Sequence, residues 1–499
     1  MKKTRILLLI LCFCMILPLI VACGKEETPD VDVKGKYEYD DSSREMAADS
    51  IPYGYDLENQ TISFFTRADQ DKNIWGDSEN TDIVYSRIHE RNLAVQERLN
   101  FKLEFIPSGT SSWQEASEVL KKEIQTMSTA WEAAFTSNNT VIQTKMFNYF
   151  HNMNDSEYID IDERWWYTDA TMELSVDNYN YRFLYGDIHI SGLGTSSVIY
   201  YNKELYSQYL SPTKDPEELY YKVLDGKWTF EEFARLVKNA RIERGGDGTN
   251  DIYGIVFENK EAHHHFREGV GIKIYERNAQ GIPEFNMNND KTVDFTNAMY
   301  EFCYENNGVL IEYPSEYTNA FNNNLAIFEL QNLNAVLGDG KREMKSDFGI
   351  LPYPKWDEAQ EEYRTLVHNS STMVCVPVST DIDRANEEVS AVIEALASES
   401  YRRVAVAYYE TALKTAYTRD DLDAQMIDII TGQHDTVKSV LTKNFAYEYS
   451  SSLGGIGMMI STLVKNEKSN NFVSKYDSII GQANAGMKDL IQQYKDGKI

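Results

Sequence analysis

Short apolar runs alternate with amphipathic stretches from residue 61 onward. Residues 61–65 form an apolar run typical of a buried strand, and residues 101–106 alternate apolar and charged side chains like a half-buried strand. Residues 82–99 and 113–127 place apolar positions at helical spacing, and residues 131–135 predict a third strand. Strands alternating with helices predict a parallel sheet with helices on its faces, an α/β fold.

The middle of the chain repeats this alternation. Residues 198–206 are a β-branched and aromatic strand that runs into a helix. Thr229 stands three residues before Glu232, a capping box that predicts the start of a helix. We predict strands at residues 348–354 and 372–378, an amphipathic helix at 387–398, and a mostly helical last hundred residues with a glycine break at 454–457.

The first 22 residues have the pattern of an export signal. A basic start is followed by an uninterrupted apolar stretch at residues 6–22 and then by Cys23. Small residues before that cysteine have the shape of a bacterial lipobox, which predicts lipidation of Cys23 and an extracellular, membrane-anchored chain. The alternative is an uncleaved anchor helix. Residues 23–59 are polar and without a period, so we predict a flexible tether.

Composition narrows the function. The 499 residues include 42% hydrophobic and 25% charged residues, enough to bury a core. The net charge of −29 repels phosphate backbones, so nucleic acid is not an expected partner, and membrane contact is expected through the lipid only. Once Cys12 and Cys14 leave with the signal and Cys23 is lipidated, only Cys303 and Cys375 remain for a disulfide, and the sequence leaves their pairing open.

Five segments resemble the extracellular solute-binding proteins of ABC importers, family 1, the group that includes maltose-type binding proteins. They occur in the family's order behind the lipobox, within roughly residues 60–420. They are YYNKELY from Tyr200, WTFEEFARLV from Trp228, DIYGIV from Asp251, FGILPYPK from Phe348 and AVIEALASESY from Ala391.

The resemblance implies a two-lobed, periplasmic-binding-protein-like fold of class II, with discontinuous lobes joined by hinge strands. We expect lobe 1 at residues 60–198 plus 373–405 and lobe 2 at 199–372 plus 406–499, with crossings near 196–200 and 371–376. It also implies a small solute, for which we expect an oligosaccharide, bound between lobes that close on it. ABC permease subunits are the implied partners, and no cofactor and no catalysis are implied.

Sugar clefts combine polar side chains with aromatic faces, and the carboxyl ends of strands face the crevice of an α/β lobe. The loops after the first and third predicted strands contain such polar and aromatic side chains. The loop after the first strand also contains Arg67. Trp166 is a candidate stacking face, and its neighbour Trp165 is expected to pack. Trp228 is assigned to the core. The candidate ligand-binding residues are Asp69, Trp75, Asn138, Asn139, Trp166, Asp187, Tyr313, Glu329, Tyr353 and Trp356.

Three other motifs resemble metal-binding or catalytic sites. Residues 245–251 are rich in oxygen ligands but lack the calcium-loop register, so calcium stays open. His263, His264 and His265 are interpreted as a solvated loop and not as a metal site, so no metal is predicted. The clustered carboxylates at residues 160–163 could form a glycosidase pair, although acidic clusters are expected in so acidic a chain. Two rival functions stay open: a secreted glycan-active hydrolase that uses two carboxylates, and a sensory lipoprotein that keeps the two-lobed fold and passes its ligand to a membrane kinase.

Overall fold

The fold was analysed in a computed structural model. The structure describes residues 38–76, 82–137, 141, 145–175, 180–246, 250–257, 262–311, 317, 319–415, 421–443 and 449–496. Within these ranges the chain forms a mixed α/β structure whose strands fall into two main sheets.

The strands are numbered in chain order. They are β1 (Thr61–Thr66), β2 (Lys102–Pro107), β3 (Ala133–Ser137), β4 (Ser197–Asn202), β5 (Tyr253–Phe257), β6 (Tyr275–Arg277), β7 (Pro283–Phe285), β8 (Val309–Ile311), β9 (Ala326–Asn332), β10 (Phe348–Leu351), β11 (Tyr363–Leu366), β12 (Thr372–Cys375) and β13 (Ser439–Thr442).

The helices are numbered in the same way. They are α1 (Asp71–Trp75), α2 (Ile83–Leu99), α3 (Trp113–Gln125), α4 (Thr168–Leu174), α5 (Ser191–Gly194), α6 (Lys203–Tyr209), α7 (Glu218–Leu224), α8 (Phe230–Val237), α9 (Ala262–Gly269), α10 (Asp290–Tyr304), α11 (Asp339–Arg342), α12 (Ile382–Arg384), α13 (Ser390–Glu399), α14 (Ala405–Thr415), α15 (Asp421–Ile430), α16 (Met459–Ser461) and α17 (Phe472–Asp496). Segments of π-helix at Ala385–Val389 and Ser400–Val404 connect α12, α13 and α14.

The first sheet has the order β12-β3-β1-β2. β1 pairs in parallel with both β2 and β3, whereas β12 pairs antiparallel with β3 and returns from much later in the sequence. The predicted strands at 61–65, 101–106, 131–135 and 372–378 therefore form one sheet. Asp82 caps α2 by accepting a hydrogen bond from the Val84 amide at 3.0 Å.

The second sheet has the order β10-β4-β9-β5-β8. β4 runs antiparallel to both of its neighbours, and the other strands run parallel to one another. Of the predicted capping box, the bond from the helix backbone to the cap side chain is confirmed. The Thr229 hydroxyl accepts a hydrogen bond from the Glu232 amide at 3.3 Å, and α8 begins at the next residue, Phe230. Trp228 lies in this lobe's core, fully buried, and donates its indole N–H to the Pro352 carbonyl at 2.9 Å.

The predicted tether differs from the structure over residues 38–59, which pack against the first sheet's helices. Ala47, Ile51 and Leu57 are buried. Asp49 forms ion pairs with Arg98 and Arg402 at 2.7 and 2.8 Å. The tether prediction therefore fails for residues 38–59, because three spaced apolar side chains and one buried carboxylate find their partners in elements far along the chain. Residues 1–37, with the predicted signal and Cys23, lie outside the described residues.

Cys303 on α10 and Cys375 on β12 are buried and unpaired, which settles the pairing that the sequence left open. Burial raises the pKa of both thiols. Of the helices that the structure describes, none combines the length and the apolar character needed to cross a membrane.

Candidate functional site

Two stretches of chain lead into strands of the two main sheets. The first, residues 187–196, leads into β4 of the second sheet. The second, residues 367–371, leads into β12 of the first sheet from β11, which pairs with β13 in a separate two-stranded sheet. The two stretches are joined: the Thr372 amide donates to the Ser191 hydroxyl at 2.7 Å, and the His368 amide donates to the Thr195 carbonyl at 3.1 Å. The predicted crossings at 196–200 and 371–376 overlap β4 and β12, so the connecting residues lie just before these strands.

The crevice lies where β1 and β3 end and where β12 begins. A narrow pocket of about 20 Å³ at this edge is lined by Phe65, Arg67, Gln70, Ala116, Phe135, Thr136, Ser137, Ser370 and Thr372. Its walls combine hydroxyl, amide and guanidinium groups with two aromatic rings. The volume is room for about one water molecule, so the pocket can hold only a small part of a solute. Residues 258–261 and 312–316, which follow β5 and β8 in the sequence, lie outside the described residues.

His189 lies on the first connecting stretch beside this pocket. Its ring centroid is 5.8 Å from that of Phe135. The Ser191 amide donates to His189 Nδ1 at 3.1 Å, so Nδ1 is the acceptor and the proton of the neutral ring lies on Nε2. Burial, aided by the charges of Arg91 and Arg67, lowers the pKa of His189 to about 3. The ring is therefore a neutral donor whose Nε2 has no protein partner in the described part of the chain.

The structure describes only some of the candidate ligand-binding residues on the crevice loops. Asp69 is exposed and accepts from Arg67 Nη2 at 2.9 Å, so these two side chains form one charged pair at the pocket's rim. Trp75 ends α1, is 39% exposed and packs its ring edge-on against Phe105 at 4.7 Å. Asn138 and Asn139 lie outside the described residues, as does Tyr313. Ligand contact by these residues stays a prediction.

The paired tryptophans share one carboxylate. Trp165 and Trp166 are both buried, and each donates its indole N–H to Glu394 at 2.9 Å. Gly186 permits this packing, since a Cβ there would lie 2.4 Å from the Trp165 carbonyl oxygen. Both rings therefore anchor residues 165–166 to α13, and Trp166 also lines the larger cavity described below.

Asp187 and Glu329 each have a protein partner. Asp187 is buried and accepts from the Tyr167 hydroxyl at 2.5 Å. Burial raises the pKa of Asp187 to about 6, against the charge of Arg44 and the hydrogen bond from Tyr167. Glu329 on β9 forms an ion pair with the buried Lys341. Neither side chain lines the crevice pocket.

The two remaining candidates belong to the second lobe's packing. Tyr353 is 1% exposed and its ring lies 5.0 Å from that of Phe266, so it is corrected to a core residue. Trp356 is partly buried against Phe230 and lines a groove between α8 and α10, away from the crevice pocket. In the FGILPYPK segment, Phe348 packs against Tyr200 of β4 and against Phe321, and Tyr353 packs against Phe266 of α9, which the sequence pattern alone did not reveal.

The histidine triplet is not a solvated loop. His263, His264 and His265 begin α9 and are 1%, 2% and 8% exposed. Burial lowers the pKa of His263 to about 3, so its imidazole is neutral. Among the residues that the structure describes, no group of three or more His, Cys, Asp or Glu side chains could hold a metal. Of the 245–251 loop, residues 247–249 lie outside the described residues, and Asp251 is paired with Arg241 at 2.7 Å.

A larger cavity of about 950 Å³ shares no lining residue with the crevice pocket. One wall is residues 162–169 and Tyr401, next to the first sheet, and the other is residues 425–441, next to the second. Arg44 links the walls, because its Nε donates to the Tyr401 carbonyl at 3.1 Å and its Nη1 to Gln433 at 2.9 Å.

Sequence reasoning missed His189, Ser191, Ser370 and Thr372. The pattern had placed a crossing close to them, but it assigned candidates by residue type, favouring tryptophan and carboxylate. Position in the fold could have identified these residues. They lie at the junction of two strands from distant parts of the chain, and ligands of α/β sheets bind at the carboxyl ends of strands.

Two solved structures of solute-binding proteins illustrate the likeness in fold. One is a cyclo/maltodextrin-binding protein complexed with maltotetraose, with a TM-score of 0.53, 12% identity, and coverage of 87% of this chain and 97% of that one. Another is UgpB from Mycobacterium tuberculosis in complex with glycerophosphocholine, with a TM-score of 0.50, 10% identity, and coverage of 86% and 99%.

No family model and no curated protein sequence matches the chain. The likeness therefore lies in the fold: the chain has a mixed α/β, two-lobed fold like that of the maltodextrin-binding protein, as the resemblance implied.

Proposed function

We propose that this protein is the lipid-anchored, extracellular solute-binding component of an ABC importer, and that it binds a neutral oligosaccharide between its lobes without altering it. The observation that supports this most is the pair of hydrogen-bonded connections, residues 187–196 and 367–371, at the base of a crevice edged by β1, β3 and β12. A solute that touches both lobes stabilises the closed arrangement, because it binds that arrangement more tightly than the open one.

The chemistry of the crevice fits a neutral solute. Its only charged lining side chain is Arg67 among the described residues, and that side chain is paired with Asp69. His189 is neutral and buried behind the pocket, where its ring packs against that of Phe135. Hydroxyl groups of a sugar can satisfy the hydroxyl and amide groups of the pocket's walls, and Phe65 and Phe135 supply apolar faces.

A thermal-shift screen of neutral mono- and oligosaccharides tests the proposal. A ligand at 100 times its dissociation constant adds about 2.7 kcal/mol to the stability of the folded state. The variant Ser370→Trp, which fills the crevice, should lose the shift, and Thr129→Trp, at an exposed site outside the pocket, should keep it. Small-angle scattering should show contraction with the active sugar.

Two outcomes of these experiments would contradict the proposed function. Chemical turnover of any glycoside would favour the hydrolase alternative, and absence of a shift across neutral sugars would refute the oligosaccharide assignment. The anchor is tested separately: Cys23→Ala should abolish palmitate labelling of the exported protein, and unchanged labelling would refute lipidation at that residue.

A further inference from the structure

Both main sheets turn the carboxyl ends of their parallel strands towards the connecting stretches. In the first sheet, Thr372 begins β12 directly after one stretch and pairs with Ser137 at the end of β3, which runs parallel to β1. In the second sheet, Ser197 begins β4 directly after the other stretch and pairs with Asn332 at the end of β9. The segments that follow β1 in one lobe and β9 in the other therefore lie on the side of the molecule where the crevice separates the lobes.

The segment after β1 is firmly held within the first lobe. Arg91 on α2 is 1% exposed and donates to the carbonyl of Ile74 on α1 at 3.2 Å and to the carbonyl of Ile188, on the first connecting stretch, at 2.8 Å. The Asn92 side chain also donates to the Ile74 carbonyl, at 2.7 Å. Because these buried bonds join α1, α2 and the connecting stretch, the amino end of α2 and the pocket residue Gln70 belong to one rigid unit.

The segment after β9 is anchored to the second lobe in a comparable way. Lys341 on α11 is 3% exposed and forms an ion pair with Glu329 of β9. Its ammonium group lies 4.3 Å from the ring centroid of Phe321 and 4.9 Å from that of Tyr200. These contacts fix α11, and the next residue, Arg342, extends from it as an exposed side chain.

Arg342 meets the first lobe at the start of α2. Its Nη2 lies 3.6 Å from Oδ2 of Asp82, whose side chain is 18% exposed. The other oxygen of this carboxylate, Oδ1, caps α2 by accepting from the Val84 amide at 3.0 Å. Burial and the charge of Asp82 raise the pKa of Tyr85 in the same turn, and the charge of Arg342 opposes that rise. Two groups in the first turn of α2 therefore feel one guanidinium group that belongs to the other lobe.

We propose that Asp82 and Arg342 form a latch, an ion pair that holds the two lobes together on the crevice side and sets how far the crevice opens before a solute binds. Each partner belongs to a well-anchored element of its own lobe, so an outward rotation of either lobe must separate the charges. The inference rests on the proposed function only in taking the lobes to move relative to each other. An exposed ion pair changes an equilibrium constant by about two- to fivefold, which shifts a balance between open and closed lobes without locking either.

Distances between nitroxide labels on the two lobes, measured by pulsed electron paramagnetic resonance, test the latch in the whole chain in detergent and without any solute. The labels are attached to a genetically encoded keto amino acid at the exposed positions Thr129, in the first lobe, and Lys238, in the second. Asp82→Asn removes the charge but keeps a capping oxygen for α2, and Arg342→Gln removes the other charge. We expect either variant to raise the ratio of longer to shorter distances by about two- to fivefold, and about 1 M NaCl to do the same in the parent chain.

The matched control lies on the same helix. Glu90→Gln breaks the exposed ion pair of Glu90 with Arg87, which joins two residues of α2 and no second lobe, so it should leave the distances unchanged. The double variant Asp82→Asn/Arg342→Gln should open the lobes no further than either single variant, because both changes remove the same interaction.

Three results would overturn the proposal: parent-like distances in both single variants, a shift of equal size in Glu90→Gln, or longer distances that occur only together with a fall in the unfolding temperature of both variants. The latch instead requires the distances to change while Asp82→Asn unfolds at the temperature of the parent chain. Because no solute is present, a failed sugar screen would refute the oligosaccharide assignment and leave the outcome for the latch standing.

Discussion

The ion-pair network at Asp49 gives the sharpest stability prediction. The Asp49 side chain is 1% exposed and lies between Arg98 and Arg402, which approach it to 2.7 and 2.8 Å. Burial opposes ionisation of Asp49, but the hydrogen bonds and charges of the two arginines outweigh it and lower its pKa from 3.8 to about 2. A shift of nearly two pKa units corresponds to about 2 kcal/mol of stabilisation above pH 5.

Asp49→Asn removes this charge from between two buried guanidinium groups. Arg98 loses its ion-pair partner, and Arg402 keeps only Glu399, at 2.8 Å. We expect a loss of about 3 kcal/mol in the free energy of unfolding at pH 7, since breaking a buried pair by removing one partner costs about 3–5 kcal/mol. Urea denaturation at 25 °C, followed by far-UV circular dichroism, measures this loss. Glu58→Gln, in the same segment but exposed, should change the free energy by less than about 0.5 kcal/mol.

The pH dependence gives an independent check. Because the folded pKa of Asp49 is depressed, its stabilisation is complete above the unfolded pKa near 4 and is lost as the pH falls towards 2. The difference between the parent chain and Asp49→Asn should therefore shrink below pH 4. A loss under 1 kcal/mol at pH 7, or a difference that stays constant down to pH 2.5, would refute docking of residues 38–59 through this carboxylate.

Three further predictions follow from buried groups. Glu394→Leu should cost about 2–4 kcal/mol in urea unfolding, because two buried indole N–H groups lose their acceptor; an equal cost for the exposed control Glu104→Leu would contradict this reading. Nuclear magnetic resonance should show the His189 imidazole neutral at pH 5, as its pKa is lowered to about 3, and a titration near pH 6.5 would disprove its burial. In a chain that begins at residue 38, Cys303 and Cys375 should react with a thiol reagent only after unfolding, and a pair of thiols missing from the unfolded count would reveal a disulfide.

The strands and helices were predictable wherever local pattern and burial agree. Residues 61–65 became β1, residues 82–99 became α2, and the Thr229 cap began α8. The pattern failed where a side chain's partner is distant in sequence. Residues 38–59 have no period of their own, and they are ordered by contacts such as that of Asp49 with Arg402. The histidine triplet was misassigned because a three-residue window cannot show that α9 is covered by other elements.

For the site, residue type was a weaker guide than position. Tyr353 has the chemistry of a sugar-stacking residue but fills the core beside Phe266, and Trp165 and Trp166 both donate to Glu394. His189 and Ser191 were missed, although they lie where the two connecting stretches meet.

The sequence by itself determined the alternation of strands and helices and the helix starts, because these depend on the periodicity and capping of neighbouring residues. The likeness to a two-lobed family came from short segments that resemble that family's own. Only the tertiary structure decided which strands share a sheet, that residues 38–59 belong to the folded body, and which polar groups face the crevice and the larger cavity. Those features depend on distances between residues hundreds of positions apart, and burial of a carboxylate or an indole is stabilising only when such a distant partner is in place.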